Sequence, residues 1–427
     1  MDNKVAVIGT GYVGLTTGAC FAHLGHEVIC ADIDRSKIER LNRGEIPIHE
    51  PGLEEIVHEG IQAGRLRFTD DPVVAASEAG FVYLCVPTPQ GADGSADLSY
   101  LEAAARQIGP HLSPGTIVVN KSTVPVGSAG FVERVLERND IHVVSNPEFL
   151  REGSAVHDFL NPDRVVIGAE DQAAAVRIAG LYLGVPAPFM VTDPASAETI
   201  KYASNAFLAM KLSFVNAVAN LCEAVGADVN DVVLGMGYDK RIGQEFLRPG
   251  PGWGGSCFPK DSKALRYIAQ EHGYEFSLLD ALLEQNAEQF DRVADKVARL
   301  AGGSLDGATV AAWGLTFKAN TDDRRESPAL EVLSRVLAAG ARVVAYDPTV
   351  KGELPELPGV EIVEDPYSAC EGADVLVVLT EWDDFKWLDL DKVADAMAHR
   401  RIVDGRNLLD RAAARRRGFE YEGIGRR

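Results

Sequence analysis

Cysteine and histidine are sparse in this chain, and neither is spaced for a metal. Six cysteines (Cys20, Cys30, Cys85, Cys222, Cys257 and Cys370) include no CxxC pair, and the nine histidines do not cluster around them. That pattern suits neither a zinc site nor a disulfide scaffold, and no metal is expected. Basic charge is also short, with 42 Lys and Arg against 63 Asp and Glu, a net charge of −21. So acidic a surface argues against nucleic acid or an anionic membrane as the partner. Any anionic ligand must instead meet a few local cations. The longest apolar stretch, Ala206–Cys222, is interrupted by Lys211, Asn216 and Asn220 and does not read as membrane-spanning. No signal peptide is read before the first strand, near Val5, so the chain reads as cytoplasmic.

What is present is ordinary for a globular protein: 46% apolar and 25% charged residues. A length of 427 residues calls for more than one core. The first part alternates short apolar runs with helical patterns. Val5–Gly9, Val28–Asp32, Phe81–Val86, Thr116–Asn120, Val143–Ser145 and Val165–Gly168 are the expected strands of a buried parallel sheet. From about Ala197 to Val225 the apolar residues recur every three or four, which predicts a long helix whose apolar face packs on a twin. Helical sequence continues to about Leu300. Strand–helix alternation then returns, with strands expected at Val310–Gly314, Val343–Tyr346, Val360–Val363, Val375–Leu379 and Ile402–Asp404. The expected fold is α/β, with two Rossmann-like doubly wound domains joined by a long central helix and a helical dimerisation region. The expected boundaries are residues 1–196, 197–302 and 303–427. Gly302, Gly303 and Gly307 mark the second linker. The charged tail Arg411–Arg427 is expected to fray.

Two segments carry most of the chemistry. Gly9-Thr10-Gly11-Tyr12-Val13-Gly14 sets a GxGxxG turn between a strand and a helix, with Asp32 closing the next strand. The glycines permit a tight turn and close approach of a pyrophosphate to a helix N-terminus. Asp32 is placed to bind both ribose hydroxyls and to repel a 2′-phosphate, which favours NAD over NADP. The second segment is Gly254-Gly255-Ser256-Cys257-Phe258-Pro259-Lys260-Asp261. Lys260 and a nearby helix start are expected to favour the Cys257 thiolate.

Three further stretches join polar residues to apolar surroundings: Lys121–Gly127, Asn146–Gly153 and Lys201–Asn205. Taken singly each has a bland reading. Thr123 caps a turn, Glu148 pairs with Arg151 or Arg164, and a lysine at a helix start is a solvated charge. Lys201 and Asn205, four apart, share a helix face, and so do Cys257 and Asp261.

Together with GTGYVGL, VPTP, KSTVPVG, NPEFLREG, NPDRVVIG, KYASNAFLA, GGSCFPKD and WGLTFKANTDDRRESPA, these residues resemble the UDP-glucose/GDP-mannose dehydrogenase family of nucleotide-diphosphate-sugar 6-dehydrogenases. The resemblance runs over nearly the whole chain. It implies a homodimer that oxidises a sugar primary alcohol to a carboxylate in two NAD-dependent steps. Cys257 would carry a thiohemiacetal and then a thioester, with Lys201 and Asn205 at the oxyanion. Asp261, Glu148 and Thr123 would handle the hydrolytic water. For the cofactor it implies Gly9, Gly11, Tyr12, Val13, Gly14, Asp32 and Lys37, then Thr88, Thr123, Glu152 and Arg325. For the sugar nucleotide it implies Phe149, Leu150, Arg151, Lys201 and Asn205, the loop with Phe246, Arg248 and Gly250, and Gly254, Phe317, Lys318 and Arg406. Arg241 would reach a neighbouring subunit's substrate. Ser256 and Phe258 favour UDP-glucose, oxidised to UDP-glucuronate. GDP-mannose and UDP-N-acetylmannosamine are the alternatives.

Overall fold

The computed structural model describes residues 4–91 and 93–426. Its contacts divide the chain into two units. One holds the residues up to Ser204 together with Lys263–Tyr274; the other holds Asn205–Ser262 and the residues from Glu275 onward.

The first unit is built on eight strands: β1 (Lys4–Ile8), β2 (Glu27–Ala31), β3 (Leu66–Thr69), β4 (Phe81–Leu84), β5 (Ile117–Asn120), β6 (His142–Ser145), β7 (Val165–Gly168) and β8 (Phe189–Thr192). Their order across the sheet is β3-β2-β1-β4-β5-β6-β7-β8. Successive residues of β1 feed opposite cores. Val5 and Val7 join a cluster around Phe21, whereas Ala6 and Ile8 join one around Leu101 and Ile108. A strand buried on both faces cannot alternate in polarity, which is why these runs read as continuously apolar. One expectation needs correcting. β7 is not parallel to β6; the two meet antiparallel at Ser145 and Gly168, and β7 then pairs parallel with β8.

The second unit repeats the plan with β9 (Thr309–Trp313), β10 (Arg342–Tyr346), β11 (Val360–Ile362), β12 (Val375–Val378), β13 (Arg401–Asp404) and β14 (Glu420–Gly423), ordered β11-β10-β9-β12-β13-β14. The tail is not frayed. Residues 411–416 form a helix, β14 is the sheet's last strand, and Ile424 is fully buried. Arg427 lies outside the described residues.

Between the two sheets in the chain runs the 32-residue helix Pro194–Val225. By length and composition alone it is apolar enough to cross a membrane. Polar side chains along it have protein partners, however. Asn216 Oδ1 accepts from the Gly250 N–H at 2.8 Å, and Ser213 Oγ accepts from Trp253 Nε1 at 2.8 Å, as befits a helix packed in protein.

Candidate active site

The glycine-rich turn follows β1 directly. Gly9 has φ +100°, and a Cβ there would lie 2.5 Å from the Cys85 carbonyl oxygen; one on Gly14 would lie 1.9 Å from the Gly9 oxygen. Both positions therefore require glycine for packing. Gly11 has no atom within 4 Å of its missing Cβ, so the turn stands open where a pyrophosphate would approach the helix Tyr12–His23. Asp32, one residue beyond β2, accepts from Thr10 N (2.9 Å), Thr10 Oγ1 (2.7 Å) and Lys37 Nζ (2.9 Å). Burial raises its pKa, and these donors more than offset that, so Asp32 stays ionised. A fixed carboxylate beside an open glycine turn fits NAD. Thr88 Oγ1 donates to the Thr123 carbonyl at 2.8 Å, which joins two of the expected cofactor residues.

Tyr12 and the loop holding Glu152 are tied by a residue that sequence reasoning passed over. Glu50, 6% exposed, accepts from the Gly153 and Ala155 N–H groups at 2.7 Å each and from the Tyr12 hydroxyl. Nothing local marks Glu50, since its partners lie 38 to 105 residues away.

Lys201 is not a solvated charge. It is 3% exposed and donates to Glu148 Oε1 at 2.8 Å. Glu148 Oε2 accepts from the Leu150 N–H at 2.6 Å. Of the two arginines in the bland pairings, Arg151 holds Asp158 in a fork at 2.6 and 2.9 Å, and Arg164 stacks 3.7 Å above the Phe149 ring. Burial raises the Glu148 pKa, but Lys201, the Leu150 N–H and Lys121 together bring it below the ordinary value. Three residues before Lys201, Glu198 caps the helix Ser128–Leu136 through the Gly127 and Ala129 N–H groups at 2.6 and 3.0 Å. It too was missed, although its spacing from Lys201 put both on one helix face.

In the second unit, Cys257 immediately precedes the helix Phe258–Glu271, and its carbonyl accepts from the Asp261 N–H at 2.8 Å. Asp261 is fully buried and accepts from Asn205 Nδ2 at 2.6 Å and Lys260 Nζ at 2.7 Å. Lys260 is thus engaged by Asp261, where the sequence had suggested the thiol. Of the six cysteines only Cys257 is part-exposed. Burial pushes the Cys85 and Cys370 thiols up to about 12.

The glycines before Cys257 are closely packed, two of them against expected sugar-nucleotide residues. A Cβ on Gly254 would fall 1.8 Å from the Glu326 carbonyl oxygen, one on Gly255 2.8 Å from the Phe317 ring, and one on Gly250 3.2 Å from Arg406. Arg406 in turn donates to the Phe317 and Leu379 carbonyls at 3.1 and 2.8 Å, and Lys318 lies over the Phe317 ring. Phe246 packs on Phe258 with ring centroids 6.2 Å apart. Arg325 is forked onto Asp323, and Arg241, 89% exposed, onto Asp239.

Two nucleotide-binding α/β folds, one with a dinucleotide turn and an acidic ribose anchor, define an NAD-dependent oxidoreductase. Comparison with known proteins gives the family. Residues 3–185 match the NAD binding domain of the UDP-glucose/GDP-mannose dehydrogenase family, residues 195–288 its central domain and residues 311–411 its UDP binding domain. The UDP-glucose 6-dehydrogenase TuaD of Bacillus subtilis is 47% identical over 430 residues, 99% of this chain and 93% of that protein. The UDP-glucose 6-dehydrogenase of Rhizobium meliloti is 47% identical over 436 residues, 99% of both chains. Among solved structures, a UDP-glucose dehydrogenase from the archaeon Pyrobaculum islandicum superposes with a TM-score of 0.90 at 39% identity, covering 99% of this chain and 98% of that one. The chain belongs to the UDP-glucose/GDP-mannose dehydrogenase family.

Proposed function

We propose that this protein oxidises UDP-glucose to UDP-glucuronate, a four-electron oxidation at C6. The observation that carries the mechanism is Cys257, the part-exposed thiol at a helix start, with the Asn205–Asp261 hydrogen bond one turn further on. Bound NAD+ is the hydride acceptor for both oxidations. In the first, the C6 hydroxyl loses a proton and C6 a hydride, leaving an aldehyde. Cys257 Sγ adds to that carbonyl as a thiohemiacetal, which holds the aldehyde in place. Loss of a second hydride gives the Cys257 thioester. Water then forms the new C–O bond as the C–S bond breaks. The net reaction consumes one water and two NAD+ per sugar and releases two NADH and three protons. Lys201 and Asn205 stabilise the oxyanions that form at C6, and Asp261, Glu148 and Thr123 position the water.

Arg406, Lys318 and Arg151 supply the local cations that let so acidic a chain hold a diphosphate. Ser256 and Phe258 favour UDP-glucose over GDP-mannose and UDP-N-acetylmannosamine. The functional division follows residues 1–196, 197–302 and 303–427. The protein works in the cytoplasm as a homodimer. Support for the dimer comes from Phe207, Phe214, Leu221 and Val225, which leave an apolar stripe 54–68% exposed at helical spacing. In that dimer Arg241 reaches the other subunit's substrate.

The test is stoichiometric. With limiting UDP-glucose, two NADH per sugar are expected, and a ratio of one overturns the four-electron reading. The same assay with GDP-mannose and UDP-N-acetylmannosamine decides the sugar.

A further inference from the structure

Asn120 has no part in the reading above, yet it is unusual among the buried residues. It closes β5, is 1% exposed, and its main-chain carbonyl is held by the Asn146 N–H at 3.0 Å. Among the described residues, neither its side-chain oxygen nor its side-chain nitrogen meets a protein partner. A buried amide with both ends unpaired costs more than a typical hydrogen bond contributes, so something must satisfy it. Reversing the amide changes nothing, because both atoms lack partners.

The side chain lines a small, partly open cavity, together with Ser122, Thr123, Ser145, Glu198 and Lys201. Its occupant must both donate and accept, because the amide presents one group of each kind. It must also be small and neutral. The Glu198 carboxylate opposes an anion and the Lys201 ammonium opposes a cation. Glu198 is meanwhile occupied by Gly127 N, Ala129 N and Ser145 Oγ at 2.6 to 3.0 Å. Water meets every condition, and a polar cavity of this kind holds it with two or more partners.

We infer that Asn120 holds an ordered water in this cavity, and that the water which cleaves the thioester is drawn from it. The second half rests on the proposed function. The cavity shares Thr123 and Lys201 with the site where that reading puts the C6 carbon. In the step, the water oxygen bonds to the acyl carbon and the C–S bond breaks. One proton goes to the departing Cys257 sulfur and one to solvent, leaving a carboxylate and a free thiol. Asn120 is thus a positioning residue that acts through the water it holds.

The test compares wild type with Asn120→Leu, which has similar volume and no hydrogen-bonding group, and with Asn120→Ser, which keeps a hydroxyl. A high-resolution crystal structure of the wild type should place a water within hydrogen-bond distance of both Asn120 side-chain atoms; a dry cavity overturns the inference. In rapid-mixing experiments Asn120→Leu should release two NADH per active site at the wild-type rate, then turn over about tenfold or more slowly. Intact mass should show Cys257 carrying the uronyl group, and Asn120→Ser should return turnover toward wild type. Full turnover by Asn120→Leu, or a slowed first NADH, overturns the link to hydrolysis. If Asn120→Leu fails to fold, the wild-type map and the Asn120→Ser acyl-enzyme level decide. A wild type that makes one NADH per sugar defeats the proposed function and leaves the water itself to the crystallographic test.

Discussion

Lys201 and Glu148 form an ion pair at 2.8 Å with their side chains only 4% and 5% exposed. A buried pair of this kind costs heavily to desolvate, and its worth lies in what happens when one member is lost. Lys201→Met strands the Glu148 carboxylate and should destabilise the protein by about 3–5 kcal/mol, whereas the double variant Lys201→Met/Glu148→Leu should recover much of that loss. The Glu148 pKa lies below its ordinary value of 4.5 in the folded protein. Its contribution is therefore present above that value and is lost as pH falls through the folded pKa. Denaturant unfolding from neutral to acid pH should show wild type losing stability below about pH 4.5 more steeply than Glu148→Gln. Parallel curves would sink this account.

Asp32 is held by Thr10 and Lys37, and that arrangement predicts coenzyme choice. Asp32→Ser removes the charge that repels a 2′-phosphate and leaves Lys37 free to meet one. The KM for NAD should rise about ten- to a hundredfold, the worth of hydrogen bonds to a charged group. Activity with NADP should rise from its wild-type level. An unchanged NAD to NADP ratio would show that the carboxylate does not read the ribose.

Glu50 offers a separable test, because it touches the glycine turn through Tyr12 and the Glu152 loop through two N–H groups. Burial first, and then the Glu50 carboxylate, push the Tyr12 phenol up, so it remains a donor. A glutamine at 50 has one accepting oxygen, and its NH2 would face an N–H or the phenol. Glu50→Gln should cost about 1–3 kcal/mol of stability and raise the KM for NAD. The KM for the sugar nucleotide should stay within about twofold, since a local change need not propagate. Equal rises in both would mean that Glu50 supports the fold alone.

How much of this was legible beforehand follows the range of the interactions. The dinucleotide turn was readable because its glycines, helix start and Asp32 lie within 24 residues of one another in a fixed order. The long helix was readable from its apolar recurrence every three or four residues, and the central strands because burial on both faces leaves unbroken apolar runs. Glu50 and Glu198 were not, because each satisfies main-chain donors brought near only by the folded sheet. Taken singly, Lys201 read as a solvated charge for the same reason. Its partner Glu148 lies 53 residues earlier, on another element. The edge strands β3 and β8 escaped notice because an edge tolerates polar and exposed residues. β3 reads Leu-Arg-Phe-Thr, and β8 is exposed along most of its length.

β14 shows the same effect in the tail and yields a last prediction. Its sequence Glu-Tyr-Glu-Gly looks solvent-facing, yet Tyr421 is 4% exposed and donates its hydroxyl to Asp404 Oδ2 at 2.7 Å. The Leu409 N–H shares that oxygen at 2.7 Å. Asp404 is fully buried, and burial raises its pKa despite these donors. A raised folded pKa means that stability is fully present below the ordinary value of 3.8 and is drained as pH rises through the folded pKa. Tyr421→Phe removes one donor from the charged form. It should therefore destabilise the protein by about 1–3 kcal/mol at neutral pH and progressively less toward acid. Asp404 is two residues from Arg406, so the same variant should weaken sugar-nucleotide binding more than NAD binding. Thermal melts across pH, with both ligands titrated separately, check this. A loss that is the same at every pH would show that Asp404 is not the group through which β14 is anchored.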